Sequence, residues 1–151
     1  MIPLSVDSFS GKRVSVIGAG ISGAGLARLA HRLGARVFVS DEKILQDRSL
    51  VAFFQSHGID WEEGGHTPRL YEADCVLVGS GISPKAFPVA ESNRRNIPVI
   101  GELDFIAPFL RSRIIGVTGS NGKSTTTALV GFLLRKAGFS AEVAGNIGKS
   151  L

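Results

Sequence analysis

Two glycine turns carry residue types whose spacing could do chemistry. The first, Gly18-Ala19-Gly20-Ile21-Ser22-Gly23, directly follows the apolar run Arg13-Val14-Ser15-Val16-Ile17. Its G-x-G-x-x-G spacing suits a diphosphate. The first glycine permits a tight turn, the second lets the backbone approach the ligand, and the third lets the following helix pack closely. N–H groups at that helix N-terminus would then face the phosphates. An acidic residue is expected about 20 positions on, ending the next strand, and Asp41 stands there. The turn does not choose between NAD and another nucleotide diphosphate.

The second turn, Gly119-Ser120-Asn121-Gly122-Lys123-Ser124-Thr125, follows Ile114-Ile115-Gly116-Val117-Thr118. Backbone N–H groups of such a loop wrap phosphate oxygens, and the Lys123 ammonium offsets β/γ charge. A hydroxyl of Ser124 or Thr125 can ligate Mg²⁺. The common G-x-x-x-x-G-K-[ST] spacing is not met, because Val117 stands where its first glycine belongs. Thr125, Thr126 and Thr127 are poor helix starters, and a triphosphate site accounts for at least one of the hydroxyls.

Other reactive types read as structural. Cys75 lies in the apolar run Cys75-Val76-Leu77-Val78, as a buried, inert thiol would. His31, His57 and His66 fall on a polar helix face, at a helix end and beside Gly64-Gly65, with no catalytic pattern. Glu62-Glu63 reads as exposed charge, Glu42 as a solvated neighbour of Asp41, and Trp61 as core or edge packing. The 151 residues are 44% hydrophobic and 20% charged, as in a core-forming protein without a membrane span or signal peptide. The net charge of +4 is scattered and not interleaved with aromatics. A small phosphorylated ligand suits it better than nucleic acid.

The elements that must hold these turns alternate in type. Strands are predicted over Arg13–Ile17, Arg36–Ser40, Cys75–Gly79, Pro98–Ile100, Ile114–Thr118 and Ala141–Ala144. Helices with an apolar stripe are predicted over Ser22–Leu33, Ser49–His57 and Lys123–Ala137. The alternation gives an α/β chain with a parallel sheet. A boundary is expected near Pro108–Arg113, where a new strand–loop–helix unit begins.

Gly119-Ser120-Asn121-Gly122-Lys123-Ser124-Thr125 after an apolar strand resembles the ATP loop of Mur ligases and folylpolyglutamate synthases. The latter lack a nucleotide-binding domain ahead of it, so the first glycine turn points to Mur ligases. Asn121 stands where the L-alanine-adding branch usually has His. The other motifs look like the branch that adds D-glutamate to UDP-N-acetylmuramoyl-L-alanine. They are Gly18–Gly23, Gly81-Ile82, Ile97-Pro98-Val99-Ile100-Gly101-Glu102-Leu103 and Gly145-Asn146-Ile147-Gly148.

The resemblance implies a Rossmann-like UDP-substrate domain over 1–112, a parallel sheet with flanking helices. The first strand, P-loop and helix of a central ATPase domain would occupy 113–151. It implies nucleotide contacts from Gly18, Gly20, Ile21 and Ser22, and uracil imide recognition by Asp41. Lys43 would face the ligand, Gly81 would lie beside the diphosphate, and Asn146 would bond polar groups of the substrate. ATP and Mg²⁺ are the implied cofactors, with Ser124 on the metal and Lys123 catalytic. A cytoplasmic location is implied. One departure stands out: Gly79-Ser80-Gly81 replaces the family's Ser-Pro-Gly and should loosen that turn. The chain lacks the later acidic metal ligand, modified lysine and C-terminal domain, so it is expected to be a fragment without ligase turnover. Self-association through residues 114–151 is a further expectation. An NAD-responsive binding module and a sibling Mur ligase with another amino-acid substrate are the alternatives.

Overall fold

The computed structural model describes residues 9–145, and the chain divides into two compact units, Met1–Pro108 and Phe109–Leu151. The implied substrate contact at Asn146 lies outside the described residues.

In the first unit five strands form one parallel sheet: β1 (Arg13–Ile17), β2 (Arg36–Asp41), β3 (Asp60–Glu63), β4 (Cys75–Val78) and β5 (Val99–Gly101). Their order is β3-β2-β1-β4-β5. Val14, Val16, Val39, Val76 and Leu77 are buried, as expected for strands covered on both faces. Helix α1 (Ile21–Arg32) contributes buried Leu26, Ala27 and Ala30, and α2 (Arg48–Ser56) contributes Leu50 and Phe54. The Asp47 carboxylate caps α2 by accepting the Ser49 and Leu50 N–H groups. A second core joins Ile17, Leu70, Val76 and Val89 with Ile82, Ile97 and Val99 around them.

One strand and two α-helices of this unit escape the sequence pattern: β3, α3 (Phe87–Arg94) and α4 (Glu102–Ile106). Strand β3 is an edge strand whose four residues include three acids, so no apolar run marks it. It is held by register with β2, Phe38 against Asp60 and Asp41 against Glu63. Helix α3 has Pro88 in its first turn, where a missing N–H costs nothing.

In the second unit helix α5 (Lys123–Lys136) forms as predicted. The expected strands at 114–118 and 141–144 do not form. Among the described residues no ladder pairs either run, and an apolar run becomes a strand only against a neighbour. Residues 141–144 instead approach α5, where a Cβ on Gly131 would come within 2.3 Å of Val143 Cγ2. No helix among the described residues is long and apolar enough to cross a membrane.

Candidate functional site

Between β1 and β4 the winding of the first sheet reverses direction. In open parallel sheets the crevice outside the strand C-termini at such a reversal is where ligands bind. Two turns flank it here, Gly18–Gly23 after β1 and Gly79–Ile82 after β4.

The backbone of the first turn shows why each glycine is needed. Gly18 has φ +83° and donates its N–H to the Ser40 carbonyl at 2.8 Å. A Cβ on Gly23 would lie 1.9 Å from the Gly18 oxygen, so α1 starts as close to β1 as backbone allows. Gly20 is the N-cap of α1 and has nothing within 4 Å of a Cβ position. No side chain caps this helix, whose first residue, Ile21, is exposed.

Asp41 ends β2 beside this turn. One carboxylate oxygen accepts the Ala19 N–H at 2.6 Å, and the other accepts the Lys43 N–H at 2.8 Å. The carboxylate is thereby fixed, and each oxygen keeps a lone pair for a further donor. An open cleft of about 520 Å³ adjoins it, lined by Ala19, Gly20, Asp41, Lys43, Ile44 and Leu50 among others. Gly18, Gly20, Asp41 and Lys43 therefore come together at one end of the sheet. Glu42 is exposed, as expected for a solvated neighbour.

Gly81 is exposed on the second turn. That turn meets the first at two points. A Cβ on Gly79 would lie 2.7 Å from Ser22 Cβ, and Ile82 Cδ1 lies 3.4 Å from a Cβ position on Gly18. The turn is tied, not loose: the Ser80 N–H donates to the Glu102 carboxylate at 3.2 Å.

Glu63 is exposed, as expected, whereas Glu62 is half-buried, and both carboxylates accept hydrogen bonds. Glu62 accepts from the Ser40 hydroxyl at 2.6 Å and from the backbone and hydroxyl of Thr67 at 2.9 and 2.5 Å. Burial alone would push its carboxyl up. The bonds from Ser40 and Thr67, with His66 nearby, outweigh that and hold it below the ordinary 4.5. Glu63 accepts the Leu45 N–H at 2.8 Å and so fixes the segment that lines the cleft. The signal missed was register, since β3 pairs with the strand that ends in Asp41.

The three histidines and Cys75 are structural in their contacts. The His66 ring bonds the Ser40 hydroxyl at 2.6 Å, and His57 lies 4.1 Å from Phe53 and 5.3 Å from His31, centroid to centroid. Trp61 packs on Phe54. Burial, with Asp74 nearby, pushes the Cys75 thiol up to about 11.

The second glycine loop belongs to the other unit. Gly119 and Gly122 have φ +151° and +74°, which L side chains rarely adopt. Gly122 caps α5 without a side-chain bond, so Lys123, Ser124 and Thr125 begin a helix whose N-terminus is exposed. The Lys123 ammonium folds back onto the Gly119 carbonyl and, at 3.2 Å, the Ser120 carbonyl. A loop with open N–H groups and a lysine lying across it fits a polyphosphate. Among the described residues no group of three His, Cys, Asp or Glu could hold a metal. A divalent ion here would rest on hydroxyl and phosphate oxygens.

Residues 13–87 match the family model of the MurD N-terminal domain. A UDP-N-acetylmuramoylalanine–D-glutamate ligase of Bacteroides fragilis is 42% identical over 141 residues, covering 93% of this chain and 32% of that protein. The ligase of the same description from Chlorobium phaeobacteroides is 40% identical over 149 residues, 96% of this chain and 32% of its own length. The chain thus spans about a third of the length of these curated relatives. Among solved structures, the UDP-N-acetylmuramate:L-alanyl-gamma-D-glutamyl-meso-diaminopimelate ligase of Neisseria meningitides aligns with a TM-score of 0.57 at 26% identity, over 93% of this chain and 46% of that one. UDP-N-acetylmuramate-alanine ligase MurC of Thermotoga maritima aligns at 0.54 and 21% identity, over 83% and 30%, and shows the fold alone.

Proposed function

The chain carries a domain of the MurD N-terminal family, and from that premise we propose that it binds the uridine diphosphate part of UDP-N-acetylmuramoyl-L-alanine for an ATP-dependent amide ligase. The observation that carries the reading is the Gly18–Gly23 turn beside the reversal of the sheet, with Asp41 fixed against it and an open cleft adjoining both at the ends of β1 and β2. Gly18 and Gly20 admit the diphosphate, and Ile21 and Ser22 offer N–H and hydroxyl donors. Asp41 accepts the uracil imide N–H on its remaining lone pairs. Lys43 lines the same cleft and faces the anionic ligand, Gly81 flanks the diphosphate, and Asn146 bonds polar groups further along the substrate.

In the second unit Gly119, Ser120, Asn121 and Gly122 wrap ATP phosphates, and Lys123 leaves its loop carbonyls to offset their charge. Ser124 supplies a hydroxyl to Mg²⁺, and Thr125 adds a donor beside it. When bound, ATP with Mg²⁺ supplies the phosphoryl group that activates the substrate carboxylate. The D-glutamate amine then displaces phosphate to form the amide. Substrates of this kind are soluble nucleotide precursors, which supports a cytoplasmic location.

Titration of the chain with UDP-N-acetylmuramoyl-L-alanine and, separately, NADH tests the reading. Saturable binding of the first and none of the second is expected; the reverse would replace it with an NAD-responsive module. In α5 and its flanks, Ile114, Ile115, Leu129, Phe132, Leu133 and Phe139 are half exposed or more. Sedimentation should accordingly show concentration-dependent self-association of the 151-residue chain, and a strict monomer would contradict that part.

A further inference from the structure

Glu102 is the one buried charged residue among the described residues, 5% exposed, and the Ile97–Leu103 motif that contains it carries no role for it. Burying a carboxylate is costly unless a donor meets it. Its donor is the Ser80 N–H, at 3.2 Å. Register explains the meeting. Val78 pairs with Gly101 across β4 and β5, so the residue after β5 stands beside the turn that leaves β4.

We propose that Glu102 is a positioning residue for the crevice between the two glycine turns: its buried carboxylate holds the Gly79–Ile82 turn by the Ser80 N–H and thereby sets the side facing Gly18–Gly23. The turn is closed on itself by the Ile82 N–H to the Gly79 carbonyl at 3.1 Å. It lies close to the first turn: a Cβ on Gly79 would clash with Ser22, and Ile82 stands at van der Waals distance from a Cβ position on Gly18. A shift of Ser80 therefore changes both approaches and the gap the diphosphate must enter. In this chain the tie does what proline's fixed φ would do in a Ser-Pro-Gly turn. The consequence for the ligand rests on the function proposed above, whereas the tie itself does not.

The test compares wild type with E102Q, which keeps an acceptor, and E102M, which keeps the length without one. Amide hydrogen exchange of the ligand-free protein reads the tie, and calorimetric titration with UDP reads its consequence. In E102M, Ser80 exchange should speed about tenfold, as loss of a bond to a charged group implies. Val16 and Val76 should keep their protection, since a general loss of stability would move them too. UDP affinity should fall about tenfold in E102M and stay within about threefold in E102Q. Unchanged Ser80 exchange in E102M overturns the proposal, as does equal UDP affinity in all three proteins. If wild type fails to bind UDP, the proposed function falls while Ser80 exchange still judges the tie. Should E102M not fold, E102D withdraws the acceptor by one methylene and carries the same comparison.

Discussion

Replacing Gly23 and Gly20 separately by alanine should split stability from binding. At Gly23 the new Cβ would sit 1.9 Å from the Gly18 oxygen and 2.8 Å from its carbonyl carbon, both backbone atoms. Restoring ordinary contact means opening the β1–α1 junction by roughly 1.5 Å. Overpacking of this kind costs about 1–3 kcal/mol, and a backbone obstacle puts it near the top of that range. Alanine regains about 1 kcal/mol of helix propensity, since residue 23 lies inside α1. The net loss is about 2 kcal/mol, which lowers Tm by roughly 8–16 °C for a domain of this size. Gly20 differs because its φ is −65° and nothing lies within 4 Å of a Cβ position. Alanine there should leave Tm within about 3 °C, since a slightly poorer cap offsets a less flexible unfolded chain. Its methyl group would nonetheless occupy the approach of the pyrophosphate and weaken UDP binding about tenfold or more, some 1.4 kcal/mol. Thermal unfolding and a UDP titration on both variants decide the matter. A Gly23→Ala protein as stable as wild type, or a Gly20→Ala protein that binds UDP as tightly, refutes the reasoning.

Asp41→Asn keeps the shape but turns an amide N–H₂ toward one of two backbone donors, Ala19 or Lys43. It should destabilise the first unit by about 1–3 kcal/mol in denaturant titration and weaken UDP binding as well. Cys75, whose thiol is pushed up to about 11 by burial and Asp74, should resist a disulfide reagent at pH 8 until the protein is unfolded; rapid labelling of the folded chain would contradict its burial. Glu62 is held below its ordinary value in the folded state. Its contribution is therefore complete above about pH 4.5 and is lost as pH falls through the lowered value. Chemical unfolding should show the gap between wild type and Glu62→Gln narrowing over that acid range, and a gap independent of pH would refute the network's role.

Where a motif's mechanics lie within a few residues, the sequence shows them. Gly18 and Gly23 are needed by the backbone geometry of one turn, and strands β1, β2 and β4 with helices α1, α2 and α5 declare themselves by local apolar pattern. Legibility ends where sheet register decides. Strand β3 is too acidic to be seen, yet its pairing with β2 brings Glu62 to Ser40 and lets Glu63 hold Leu45. Glu102 meets Ser80 only because β5 lies beside β4. The replacement of Ser-Pro-Gly by Gly79-Ser80-Gly81 suggests a looser turn when read along the chain. Across the sheet, the same turn is braced. The runs at 114–118 and 141–144 show the converse, since apolar strand-like sequence forms no strand without a ladder partner among the described residues.

The most direct test of the central claim is a crystal structure of the chain with UDP-N-acetylmuramoyl-L-alanine. The diphosphate should lie between the Gly18–Gly23 and Gly79–Ile82 turns, with the uracil imide on the Asp41 carboxylate and Lys43 facing the ligand. A uridine nucleotide found away from the C-terminal ends of β1 and β4, or bound there without contact to Asp41, would contradict it.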